Sequence, residues 1–167
     1  MLFSCVNLHL DALIALTTAR EKVLLVAFLW PGALMFFQLS LLIVMFFALR
    51  LQVTSVHNLA VWNLVTVYGP TREPARLNFV SWLYSLDIAT DDHYLILGDF
   101  NFYRSASNRN QPGGNANDML VFNDIIHNLG LIELPLKGRS YTWSNMQDQP
   151  LMQQLDWFFT SSAWTLS

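Results

Sequence analysis

Cysteine is almost missing from this chain. Cys5 is the only one in 167 residues, so no intrachain disulfide and no cysteine-based zinc cluster can form. Charge is scarce too: 13% of residues are charged against 53% hydrophobic, a lopsided ratio for a soluble domain. Basic residues are the rarer sign. Over residues 51–167, six Lys and Arg stand against ten Asp and Glu, a net of −4. A duplex-binding module normally shows a basic face, so tight non-specific DNA binding is disfavoured. An endonuclease is not excluded, because such sites collect carboxylates for metal. The four histidines, His9, His57, His93 and His127, show no metal-ligand spacing. No internal repeat or low-complexity tract is present.

The imbalance has a local source. Residues 23–49 carry no charged side chain and are rich in Leu, Phe, Val and Met. As one helix they would run roughly 40 Å, more than the ~30 Å hydrocarbon core of a bilayer. Pro31-Gly32 interrupts the run, which leaves 33–49 as the candidate transmembrane helix. Arg20 and Lys22 before it and Arg50 after it are too symmetrical to set an orientation. No basic stretch precedes it and no small-residue cleavage site follows, so it makes a poor secretory signal. The chain therefore divides into a hydrophobic N-terminal segment, 1–50, and a second region, 51–167. The first is either a membrane anchor or a flank foreign to the second.

The second region is patterned as α/β. Leu64-Val65-Thr66-Val67 reads as a strand that runs into Tyr68-Gly69-Pro70. Thr71 to Pro74 forms a turn, and Ala75 to Ala89 then spaces Phe79, Trp82, Leu83 and Leu86 along one helical face. Tyr94-Leu95-Ile96-Leu97 is a buried strand ending in Gly98-Asp99-Phe100-Asn101. A carboxylate and a carboxamide two residues apart, just past such a strand, suit phosphoester hydrolysis at the edge where open α/β sheets place ligands. Gly, Asp and Asn are also favoured in turns for backbone reasons alone, and that reading competes. Residues 102–117 read as a long loop, Asp118 as a cap, and 119–128 as a helix with Phe122, Ile125 and Ile126 inward and Gly130 after its end. Arg104 and Arg109 in the loop are candidate phosphate contacts, or simply solvated. Leu131–Leu134, Ser140–Trp143 and Leu155–Phe159 supply short strands.

The order of Tyr68-Gly69-Pro70, Gly98-Asp99-Phe100-Asn101, Tyr141-Thr142-Trp143-Ser144-Asn145 and Leu155-Asp156-Trp157-Phe158-Phe159 resembles the endonuclease/exonuclease/phosphatase superfamily. Within it, these motifs are most similar to the apurinic-endonuclease-like domain of plant LINE-type retrotransposons, over about 53–167. The resemblance implies an incomplete four-layer α/β sandwich, preceded here by the hydrophobic helical segment. It implies a Mg- or Mn-dependent DNA endonuclease by ancestry, nuclear or cytoplasmic. Asp99 would orient or deprotonate the attacking water and touch the metal; Asn101 would hydrogen-bond a non-bridging phosphate oxygen. Tyr68 would face the phosphate or leaving group. Asp156 would buttress the catalytic histidine.

Departures accompany the match. Relatives carry an asparagine where this chain has Thr71. The family's first asparagine and its metal-binding glutamate find no good counterpart, because Asn7 and Glu21 lie in unmatched surroundings. Its histidine falls thirty or more residues beyond the Leu-Asp motif, and this sequence stops at Ser167. The expectation is a catalytically impaired, poorly soluble endonuclease. Two alternatives stay open: a membrane-anchored phosphatase of the same superfamily, and a non-enzymatic membrane protein carrying a relic domain.

Overall fold

A computed structural model describes residues 16–17, 23–30, 33–44, 46–89 and 91–166. Along the chain run β1 (Leu16–Thr17), β2 (Val23–Trp30), β3 (Ala33–Val44), β4 (Ala48–Ser55), β5 (Val61–Tyr68) and α1 (Ala75–Tyr84). Next come β6 (Tyr94–Asp99), a 3-10 turn at Ala106–Asn108, α2 (Ala116–Asn128), β7 (Leu131–Glu133), β8 (Trp143–Ser144), β9 (Met152–Gln153), β10 (Asp156–Ser161) and α3 (Ala163–Leu166). Eight strands make one sheet in the order β1-β2-β3-β4-β5-β6-β10-β7, and β8 pairs with β9 separately.

The topology follows from the connections. Strands β1 to β5 run antiparallel to their neighbours, whereas β5 and β6 are parallel. A parallel pair needs a long crossover, and α1 lies within it. Strand β10 returns antiparallel to β6, and β7 closes that side antiparallel to β10.

The apolar run that the sequence offered as a helix at 33–49 is not one. Residues 33–44 form β3, which pairs with β2 from Trp30↔Ala33 to Val23↔Ser40 and with β4 from Phe37↔Ser55 to Val44↔Leu49. Hydropathy measures how apolar a run is, not its period; a run without alternation also suits a strand inside a sheet. Here ladder partners on both sides decide the outcome. Among the described residues no helix is long and apolar enough to cross a membrane. The sheet also runs straight across residue 50, which lies inside β4.

Both long helices pack on one face of the sheet. Phe79 and Leu83 of α1 and Phe122, Ile125 and Ile126 of α2 bury against Val65, Val67, Ile96, Trp157 and Phe159. Aromatic rings carry much of this core: Phe122 meets Phe100 at 5.4 Å and Trp157 at 6.2 Å between centroids. The opposite face holds Leu51, Leu64, Leu95, Leu97 and Phe158, in register and only half-buried.

Helix boundaries differ from the sequence reading at both helices. Helix α1 ends at Tyr84, five residues before Ala89. Helix α2 starts earlier, with Asn115 as its cap: its side-chain oxygen accepts the N–H of Asn117 at 2.9 Å. Asp118 is then free of capping and pairs with Arg76 at 2.7 Å. Gly130 does follow α2 with φ of 61°, the left-handed turn expected of it.

Candidate active site

Three strands deliver the site. Register pairs Tyr68 of β5 with Asp99 of β6, and Asp99 with Asp156 of β10. The three side chains therefore form a row across adjacent strands, about 4.8 Å apart along the ladder. Their parity is that of Leu97 and Phe158, so the row lies on the face away from α1 and α2, at the ends of these three strands. Tyr68 is 63% exposed there.

Backbone demands fix the residues around the row. Gly98 has φ of 138°, and a Cβ on it would fall 2.1 Å from the Val67 carbonyl oxygen. Gly69 is equally tight: a Cβ there would meet the Phe100 carbonyl oxygen at 2.3 Å. These two glycines let the strand ends close on each other, and the Gly69 N–H donates to the Asp99 carbonyl at 2.7 Å. Asn101 turns the chain with φ of 53°. Its N–H donates to Asp99 Oδ1 at 2.9 Å, and its Nδ2 to the Gly69 carbonyl at 2.6 Å. The first bond is an Asx-turn, so the turn reading of Gly98-Asp99-Phe100-Asn101 is correct for the backbone.

Electrostatics go beyond what a turn needs. Burial pushes the Asp99 carboxyl up to about 6; the Asp156 carboxylate adds to the rise, and the hydrogen bonds from Asn101 oppose it. A carboxylate poised near neutrality has the affinity for protons that a general base requires.

Tyr68, Asp99, Asn101 and Asp156 stand at neighbouring strand ends, linked by register and by the bonds of Asn101. Arg104 is engaged elsewhere. The Arg104 guanidinium is bound to Glu133 and to Asn123 Oδ1, which ties the loop after β6 to β7 and α2. Arg109 lies over the Tyr103 ring at 5.5 Å, and its Nε is buried without a hydrogen-bond partner. The loop holding both arginines contains the 3-10 turn at 106–108 rather than being structureless.

Two supports of the site escaped the sequence reading. Thr142 Oγ1 accepts the N–H groups of Leu155 and Asp156 at 3.0 and 3.1 Å, fixing the backbone at the start of β10. Arg76 Nη1 donates to the Asn101 carbonyl at 2.9 Å, with its guanidinium 3.7 Å from the Phe102 ring centroid. A signal for Arg76 existed: it falls on the same helical stripe as Phe79 and Leu83, an odd place for a lone charge.

A metal would find oxygen donors here. Asp99 and Asp156 stand one strand apart, two carboxylates whose oxygens could hold a hard cation. No group of three or more His, Cys, Asp or Glu gathers among the described residues. Asn7 and Glu21, weighed as counterparts of the family's N-terminal ligands, lie outside the described residues.

Comparison with known proteins reaches the same fold. The structure superposes on the endonuclease domain of TRAS1, a telomere-specific non-LTR retrotransposon, with a TM-score of 0.53 and 11% identity, covering 90% of this chain and 67% of that one. The fold is that of an endonuclease domain. In sequence, 75 residues are 33% identical to a transposon TX1 uncharacterized 149 kDa protein of Xenopus laevis. That match takes in 44% of this chain and spans 6% of the relative's length. No protein-family model matches the chain.

Proposed function

We propose that this chain is a retrotransposon-type endonuclease domain, of the LINE kind its motifs resemble, built to cleave DNA phosphodiesters. The observation that carries the proposal is the row Tyr68–Asp99–Asp156 on three adjacent strands, with the Asp99 carboxyl pushed up to about 6. The endonuclease fold and the sequence match to a transposon protein support it.

In this reading Asp99, once deprotonated, takes a proton from a water whose oxygen attacks phosphorus. The bond from phosphorus to the leaving oxygen breaks, and that oxygen takes a proton from solvent water, giving a phosphomonoester and an alcohol. Asn101 holds a non-bridging oxygen, with one amide hydrogen left over from its bond to Gly69. Tyr68 faces the same oxygens from β5. Burial keeps Asp99 basic, and like-charge repulsion from Asp156 adds to it. A divalent cation held by Asp99 and Asp156 would supply Lewis-acid stabilisation of the charged phosphate.

The described residues provide no histidine in the row: His57 lies in the β4–β5 turn, His93 precedes β6 at the opposite end of the strand, and His127 ends α2. A positioned acid or base contributes about 10²–10⁴-fold in rate, so weak activity is expected from these residues alone. Nicking of supercoiled plasmid in Mg²⁺ or Mn²⁺, against EDTA, tests the reading. Slow metal-dependent nicking that Asp99→Asn abolishes supports it. Nicking untouched by Asp99→Asn, or hydrolysis confined to phosphomonoesters, overturns it.

A further inference from the structure

We propose that Arg76 is a positioning residue for Asn101, the strut through which both helices hold the phosphate-facing carboxamide. The role assigned to Asn101 rests on the reading above; the strut itself rests on geometry.

Asn101 occupies the left-handed region, which a non-glycine residue holds only when its surroundings fix it. Two of its bonds are local to the strand ends, from its N–H to Asp99 and from Nδ2 to Gly69. The third comes from a distance: its carbonyl accepts from Arg76 Nη1, 25 residues away in sequence. Through that carbonyl a helix side chain hydrogen-bonds to the turn, whose Phe100 ring also packs against Phe79 and Phe122.

Arg76 is held in turn from three directions. Nη2 pairs with Asp118 at 2.7 Å, and the two side chains are 16% and 26% exposed. The guanidinium lies over Phe102, which is buried and whose carbonyl accepts from Trp157 Nε1 at 2.8 Å. One rigid path therefore links α2, α1, the turn after β6 and β10. Only a planar fork serves this purpose: one nitrogen for a carbonyl, another for a carboxylate, and a flat face for an aromatic ring. Lysine offers a point charge and cannot hold all three at once.

A purely structural Arg76 would staple α1 to α2 and do nothing specific at the turn. Hydrogen exchange separates the roles, with the Asn101 amide reporting the turn and the Ile96 amide, inside β6, reporting global opening. Measurements are made on Arg76→Lys, Arg76→Met and Asp118→Asn, each compared with the unsubstituted chain. We expect Asn101 exchange in both Arg76 variants to quicken about tenfold beyond any change at Ile96. In Asp118→Asn, which keeps the bond to the Asn101 carbonyl, the two amides should move together. Asn101 exchange that tracks Ile96 in the Arg76 variants overturns the strut. Should Arg76→Met fail to fold, Arg76→Lys decides alone.

Nicking then tests the consequence. Arg76→Lys should lower kcat about tenfold with KM little changed, because a loosened Asn101 weakens contacts made in the transition state. Faster Asn101 exchange with unchanged kcat in an active enzyme overturns the positioning role. An Asn101→Ala variant that nicks normally refutes instead the role given to Asn101, and the exchange result stands apart from it.

Discussion

The two faces of the central sheet are made by the same strands and have opposite fates. On one, Val65, Val67, Ile96, Trp157 and Phe159 disappear beneath α1 and α2. On the other, Leu64, Leu95, Leu97 and Phe158 stay half-buried and lead to Tyr68, Asp99 and Asp156 at the strand ends. Alternation along a strand separates packing from chemistry by a single residue. Phe100 shows the separation at its sharpest: 1% exposed, it anchors the turn in the core between the two polar residues of the site. The face that packs also holds the chemistry in place, through Phe102, Arg76 and Trp157.

Substitutions can break this contrast or sharpen it. The largest loss is expected on the helix side. Phe122, with no exposed surface, touches Phe100, Phe102, Trp157 and Phe159. Phe122→Ala should remove about 3–5 kcal/mol from the free energy of unfolding in a urea titration. At the edge between the faces, Gly98→Ala combines φ of 138° with a Cβ 2.1 Å from the Val67 carbonyl oxygen. A loss of about 2–4 kcal/mol should result, with β5 and β6 amides the first to lose protection.

The third prediction has the opposite sign. The folded Asp99 pKa, about 6, lies above the ordinary 3.8, so the folded state holds its proton more tightly than the unfolded one. The stability this contributes is complete below about pH 4 and is lost as pH rises through 6. Asp99→Asn keeps an oxygen for the Asn101 N–H but has no charge to bury. After discounting for partial exposure, it should be more stable than the unsubstituted chain by about 1–2 kcal/mol at pH 7, with the difference vanishing at pH 4. Thermal melts at both pH values measure it. A variant less stable at pH 7 would mean that Asp99 is held by favourable partners rather than desolvated.

The smallest effect should be on the open face. Leu95→Ala should lower stability by about 1 kcal/mol, since only part of the side chain is withdrawn from water. Ile96→Ala, its neighbour in the same strand but 2% exposed, should lose about 2–5 kcal/mol. Equal losses in the two would show that the open face is covered in solution.

How much of this was legible in the sequence differs by residue. Tyr68, Asp99, Asn101 and Asp156 could be picked out because each is a polar residue at the end of an apolar run, and strand ends share an edge. Arg104 and Arg109 could not be judged the same way. A loop arginine looks alike whether it faces solvent or, like Arg104, binds Glu133. Asn115 and Asp118 are both good caps by residue type, and the demand of Arg76 for a carboxylate separates them. The run 33–49 is ambiguous for a related reason: hydropathy cannot tell a helix from a strand with partners on both sides.

The sequence by itself determined which residues could do chemistry, where strands end, and that the Gly98 corner must turn. Those properties are local: side-chain type, alternation and the φ that glycine permits. Only the tertiary structure decided that 33–44 joins the sheet, that Asp156 comes beside Asp99, and that burial brings the Asp99 carboxyl near neutrality. Arg76 gained its grip on Asn101 in the same way. Each of these depends on groups distant in the chain becoming neighbours and losing their water, and no local pattern records that.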